Sequence, residues 1–219
     1  MKATNKTSPL PSARWVDQQA VWPQRGEHIL AHHDAETLVV YQAYRPEIGQ
    51  WAISHGQLGG PAFSFNRMSW VKPNFLWMMY RSGWSTKEGQ EITLGLRIRR
   101  SFFDRLLADA VPSSFEASGL ADRTAWAAAV ETSEVRLQWD PDHAADGATL
   151  ARRAVQMGLR GQALRELATS ALVEVIDMTA WVAEQRAHAL GDWQKLRTPV
   201  ENVYPVSSHR PRTDVEIST

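Results

Sequence analysis

The chain has 219 residues, 43% of them hydrophobic, which is enough for one domain with a sizeable core and short for two. Its 24 basic and 24 acidic side chains cancel, so a charged partner has to be met by a local patch and not by a global field. The absence of cysteine excludes disulfides, thiolate catalysis and cysteine-ligated metal, and with no secretory leader and no run of about 18 apolar residues the chain reads as cytoplasmic, with no membrane partner.

Residues 1–14 are polar and proline-bearing, and no period is sustained from residue 198 onward. Both ends are therefore expected as tails or surface-draped segments around a single domain at 15–197. His28, His32 and His33 with Asp34 have a spacing that suits a metal on a helix, but leading into a strand they read more simply as a solvated loop. TLVVYQAY at Thr37–Tyr44 is rich in β-branched and aromatic residues and reads as a strand buried on both faces. Pro46 and Glu47 then open a helix that Gly56 ends.

Gly59, Gly60 and Pro61 turn the chain into AFSFNRMSW, an irregular strand or loop. Pro73 announces a helix and Gly83 stops it; NFLWMMYRS between them is apolar nearly all round, with Lys72 at its mouth and Tyr80 and Arg81 at its end. ITLGLRIRR, residues 92–100, alternates as a strand with one wet or functional face, and SFFDRLLADAV follows as a short helix. In residues 134–140 Val135, Leu137 and Trp139 alternate with Glu134, Arg136, Gln138 and Asp140, and this polar set is the most chemically suggestive face in the chain.

A helix from about Thr149 is expected to carry Arg152, Arg153, Gln156 and Arg160 as a basic, phosphate-gripping surface. A longer packing helix is expected over residues 162–187. The order of elements argues an α+β domain with helices packed on mainly antiparallel or mixed sheets. Ten tryptophans serve such a core first, and any that are left at a cleft suit a planar ligand. No phosphate loop, dinucleotide-binding glycine motif, nucleophile elbow or paired-histidine zinc helix is present.

The stretches VVYQAYRPEIGQWAISHGQL, FSFNRMSWVKPNFLWMMYRSGWSTKEGQE, VRLQWDPDH and RRAVQMGLRGQAL resemble the signature blocks of domain-of-unknown-function family 4291 over residues 31–204. That resemblance implies no activity, but it places a site in these blocks and not in the tails. The order of a first strand with an aromatic end, a helix closing on His55-Gly56-Gln57-Leu58, an apolar helix, a strand, and a late strand bearing Gln-x-Asp is also similar to that of ADP-ribosyltransferase-like proteins. Asp140 stands where such enzymes usually carry glutamate, and Tyr41, Gln42, Tyr44 and Arg45 replace the usual first-strand His or Arg with its following Gly or Ser.

What this second resemblance implies is an NAD-consuming enzyme with a protein or RNA acceptor. Tyr44 and Arg45 would anchor the dinucleotide, Trp70 and Tyr80 would flank the nicotinamide, and Arg81 or Arg153 would meet the pyrophosphate. Asp140 would stabilise the oxocarbenium-like ribose while Gln138 orients the acceptor. The other readings are a non-catalytic module binding a nucleotide or RNA through arginines and stacking aromatics, and an assembly protein using exposed tryptophans as an interface.

Overall fold

Residues 8–206 are described in the computed structural model, and the expectations for residues 1–7 and 207–219 lie outside them. The chain begins with β1 (Ser12–Arg14), α1 (Trp15–Val21), β2 (Gly26–Glu27), β3 (Leu30–Ala31), β4 (Thr37–Tyr44) and α2 (Pro46–His55). It continues through β5 (Ser69–Val71), α3 (Phe75–Ser82), β6 (Ile92–Arg99), α4 (Arg100–Asp109), β7 (Val111–Pro112), α5 (Arg123–Thr132) and β8 (Val135–His143). It closes with β9 (Thr149–Leu159), α6 (Gly161–Ala168), β10 (Leu172–Asp177), α7 (Thr179–Ala189), β11 (Arg197–Pro199) and β12 (Asn202–Val203).

Because β4 is apolar on both faces it separates two cores, with Leu38 and Val40 packing into one and Val39 and Tyr41 into the other. It pairs antiparallel with β6 along its whole length, and β10 covers the other edge of β6. In a second, mixed sheet the long β9 carries β8 on one edge and both β2 and β5 on the other, and β7 runs parallel beside β8. The two sheets are joined where Tyr41 and Lys72 exchange backbone hydrogen bonds of 2.6 and 3.1 Å. This is the α+β architecture of mixed and antiparallel sheets that the element order implied.

Local signals set the helices. Pro46 opens α2 and Gly56 closes it at φ 65°, while the Asn74 side chain caps α3 by accepting from the Trp77 N–H at 2.7 Å and Gly83 ends it at φ 58°. Gly49 lets α2 lie on β6, since a Cβ there would come within 2.4 Å of the Ile92 side chain. Trp15, Trp22, Trp77, Trp84 and Trp181 are buried, so half of the tryptophans serve packing.

Four expectations are corrected. Residues 149–159 are strand β9 and not a helix, because Val155, Met157 and Leu159 alternate into the core and the ladder with β8 outweighs helix propensity. The helix expected over 162–187 is α6, β10 and α7, since Leu172–Asp177 is drawn into the edge of β6. The face of β6 expected to be wet or functional is largely covered: Thr93 is fully buried, a Cβ on Gly95 would meet Val39 and Ile176, and Arg97 and Arg99 reach outward.

The domain also extends past both expected boundaries, because β1 pairs with β11 and so ties residues 12–14 to residues 197–199. Leu10, Glu201 and Tyr204 are buried, and Trp22 Nε1 donates to the Glu201 carbonyl at 2.8 Å. Among the described residues no helix is long and apolar enough to cross a membrane.

Candidate functional site

The two faces of the β8–β9 ladder have different chemistry. Val135, Leu137 and Trp139 face the core with Val155, Met157 and Leu159, so alternation turns Gln138, Asp140 and Gln156 to the opposite side. There Gln138 Nε2 donates to Asp140 Oδ1 at 2.8 Å and Gln156 Nε2 donates to Asp140 Oδ2 at 2.7 Å. Ser113 Oγ in turn donates to Gln138 Oε1 at 3.2 Å. The carboxylate is thus held at both oxygens by amides on a rigid ladder. Further along the ladder, where Gly158 opposes Arg136, Trp70 lies over Gly158, and a Cβ there would sit 2.7 Å from Met68 Sδ and 3.0 Å from the indole.

Lys72, directly after β5, shares this face because it opposes Tyr41 and alternates with Val71. The residue is 3% exposed, and its amine has no hydrogen bond or ion pair among the described residues. Burial lowers its pKa to about 8; the nearby Arg81 charge lowers it further and Asp140 opposes the change. Arg81 and Tyr80 come from the end of α3, and the half-exposed Tyr80 ring stacks on His143 at 3.5 Å between centroids. Trp77 lies nearly parallel to both rings.

Burial lowers the His143 pKa against the pull of Asp142 and Asp140, and its buried Nδ1 has no partner among the described residues. Behind it Asp142 and Arg152 form a buried ion pair at 2.6 Å, and Arg152 also donates to the Pro23 carbonyl. Glu201, whose carboxyl burial pushes well above the usual range, accepts from the Phe75 N–H at 2.7 Å and fastens the C-terminal strap to the start of α3.

Of the residues singled out from sequence, Gln138 and Asp140 meet directly on this polar face, Trp70 lies towards its Arg136 end, Tyr80 lies towards its His143 end, and Arg81 is near enough for its charge to act on Lys72. Tyr44 lies elsewhere: it points to the other side of β4, buried, with its hydroxyl 3.5 Å from Ser69 Oγ. Arg45 is exposed at the start of α2, reaching the Ala62 carbonyl at 3.3 Å, and Arg153 turns away from Asp140 and donates to the Trp139 carbonyl. The basic helical surface expected from Arg152, Arg153 and Arg160 does not exist. The three lie along or just beyond a strand, Arg152 is spent on Asp142, and Arg160 binds the carbonyls of Ser133 and Glu131.

His32 Nδ1 lies 2.8 Å from the Val200 carbonyl and His33 packs edge-on against Tyr204. Among the described residues no group of three or more His, Asp or Glu side chains is arranged to hold a metal. Sequence reasoning missed His143, which it left in a loop, and Gln156 as a ligand of Asp140. Period-two alternation in TLARRAVQMGL was the signal for Gln156.

A cavity of about 410 Å³ lies on the far side of β8, walled largely by apolar groups such as Leu107, Leu137, Trp139 and Tyr204. Neither Lys72 nor Asp140 lines it, so size and chemistry point to different places. Convergent charge carries more functional information than volume, and the polar face is the candidate site.

A family model described as Domain of unknown function (DUF4291) matches residues 28–204. No curated protein matches the chain.

Proposed function

Because the chain belongs to the DUF4291 family over a span that includes the whole polar face, we propose a function from that face: an NAD-binding enzyme of ADP-ribosyltransferase-like type. The observation that carries the reading is the Asp140 carboxylate, gripped at both oxygens by Gln138 and Gln156 beside aromatic and cationic walls. A carboxylate fixed before reaction stabilises positive charge that develops on a bound ribose without reorganising. The bond from ribose C1′ to nicotinamide breaks with its electrons leaving on nicotinamide. C1′ becomes oxocarbenium-like opposite Asp140, and an acceptor nucleophile then bonds to C1′ and loses a proton.

In this reading Trp70 and Tyr80 supply flat walls for the rings and Arg81 stands at the rim. Gln138 serves as a positioning residue for Asp140, since both ends of its amide are already engaged. Tyr44, Arg45 and Arg153 take no part, being turned elsewhere.

The test is nicotinamide release from NAD across protein, RNA and small-molecule acceptors. Wild type should release it, and Asp140→Asn should cut release by about a hundredfold or more while NAD still quenches tryptophan fluorescence. Binding without release favours a nucleotide- or RNA-binding module. No response to NAD removes the transferase reading.

A further inference from the structure

Among the described residues, the other buried cations have a hydrogen-bond or ion-pair partner and Lys72 does not. Arg152 is paired with Asp142, and Arg136 donates to the Ser133 carbonyl at 3.0 Å. Lys72 is as buried as Arg152, yet no described residue receives its amine. Nearby Asp140 does not neutralise it by contact, because both carboxylate oxygens are turned to the Gln138 and Gln156 amides and no ion pair joins it to Lys72 among the described residues. A lysine so largely buried without an ion pair is an arrangement that folds avoid unless something else supplies a counter-charge.

Arg81 sharpens the point. Its carbonyl accepts from Lys87 Nζ at 2.7 Å, but its guanidinium has no hydrogen bond or ion pair among the described residues, and it is close enough for its charge to act on Lys72. The two cations lie near enough to repel, and neither forms an ion pair among the described residues. Both are held in place, Lys72 by its backbone bonds to Tyr41 and Arg81 by a helix capped at both ends.

We infer that Lys72 and Arg81 together form the receptor for a phosphate or diphosphate group on the ligand of the Asp140 face. A point charge from below and a forked donor from the rim suit a multiply charged oxyanion better than a single carboxylate. An anion there neutralises the buried amine and removes its repulsion with Arg81. The assignment rests on the proposed function only in taking this face as the ligand site, and it names Lys72 as the principal anchor.

The probe is inorganic pyrophosphate with the full chain. Lys72 is one of five lysines, so acetylation at each can be followed by mass spectrometry. Pyrophosphate should slow acetylation of Lys72 but not of the exposed Lys87 and Lys195. Lys72→Met and Arg81→Gln should each weaken pyrophosphate binding by about tenfold to a hundredfold, the scale of one charge-assisted contact. Arg81 is exposed, so its variant tests the receptor even if Lys72→Met does not fold.

Equal protection of all lysines, or undiminished binding by Arg81→Gln, overturns the inference. NAD binding that survives both substitutions overturns it while leaving the proposed function standing. Pyrophosphate binding that needs both cations in a protein that ignores NAD does the reverse.

Discussion

Lys72→Met should make the protein more stable at neutral pH while removing its anion anchor. A fall in the lysine pKa from the ordinary 10.5 to about 8 corresponds, at about 1.4 kcal/mol per pH unit, to a penalty of about 3 kcal/mol on the charged form. Methionine keeps the unbranched stem in the same space and has no charge to desolvate, so relaxation aside the variant should gain about 2–3 kcal/mol. For a chain of this size that is roughly 5–10 °C in Tm. The sign with pH follows from linkage. Between pH 8 and 10.5 the unfolded chain holds the Lys72 proton that the folded chain has released, so wild-type stability rises through that window. Thermal unfolding of both proteins, followed by circular dichroism from pH 7 to 10.5, should show a gap that is full below pH 8 and closes by 10.5. A variant less stable than wild type at pH 7, or a gap that does not change with pH, would refute the claim that this ammonium is desolvated and unpaired.

Gly158→Ala should push Met68 and Trp70 off their seats, costing about 1–3 kcal/mol and altering tryptophan emission before any ligand is added. Asp142→Ala should lower stability by about 3–5 kcal/mol by stranding Arg152, and chemical denaturation should show a large part of this restored when Arg152→Leu is added. Glu201→Ala should cost about 1–3 kcal/mol by leaving the Phe75 N–H unsatisfied, and hydrogen exchange should show the start of α3 and the C-terminal strap opening together.

What could be read directly was what depends on neighbours in the chain. The limits of α3 follow from Pro73 and Gly83, the limits of α2 from Pro46 and Gly56, and the two polarities of β8 from residues 134–140. Gln138 and Asp140 were therefore legible as a pair on one face. The segment after them was not, because TLARRAVQMGL matches a basic helix about as well as an alternating strand. The choice is made by β8 on one edge and β2 and β5 on the other, all distant in sequence. Residues 162–187 failed for the same reason: apolar spacing suited one helix, but the free edge of β6 claims Leu172–Asp177.

The sequence by itself determined an α+β chain without cysteine chemistry, the two helices bounded by Pro46 and Gly56 and by Pro73 and Gly83, and a strand face carrying a carboxylate two residues from an amide. Only the tertiary structure decided which side chains meet that carboxylate. It brings Gln156 and Lys72 to Asp140 and turns Tyr44 and Arg153 away, because sheet register and strand parity assign every side chain to one face or the other. Whether a buried lysine finds a counter-charge is likewise a property of three segments packed together, and no local window of sequence contains it.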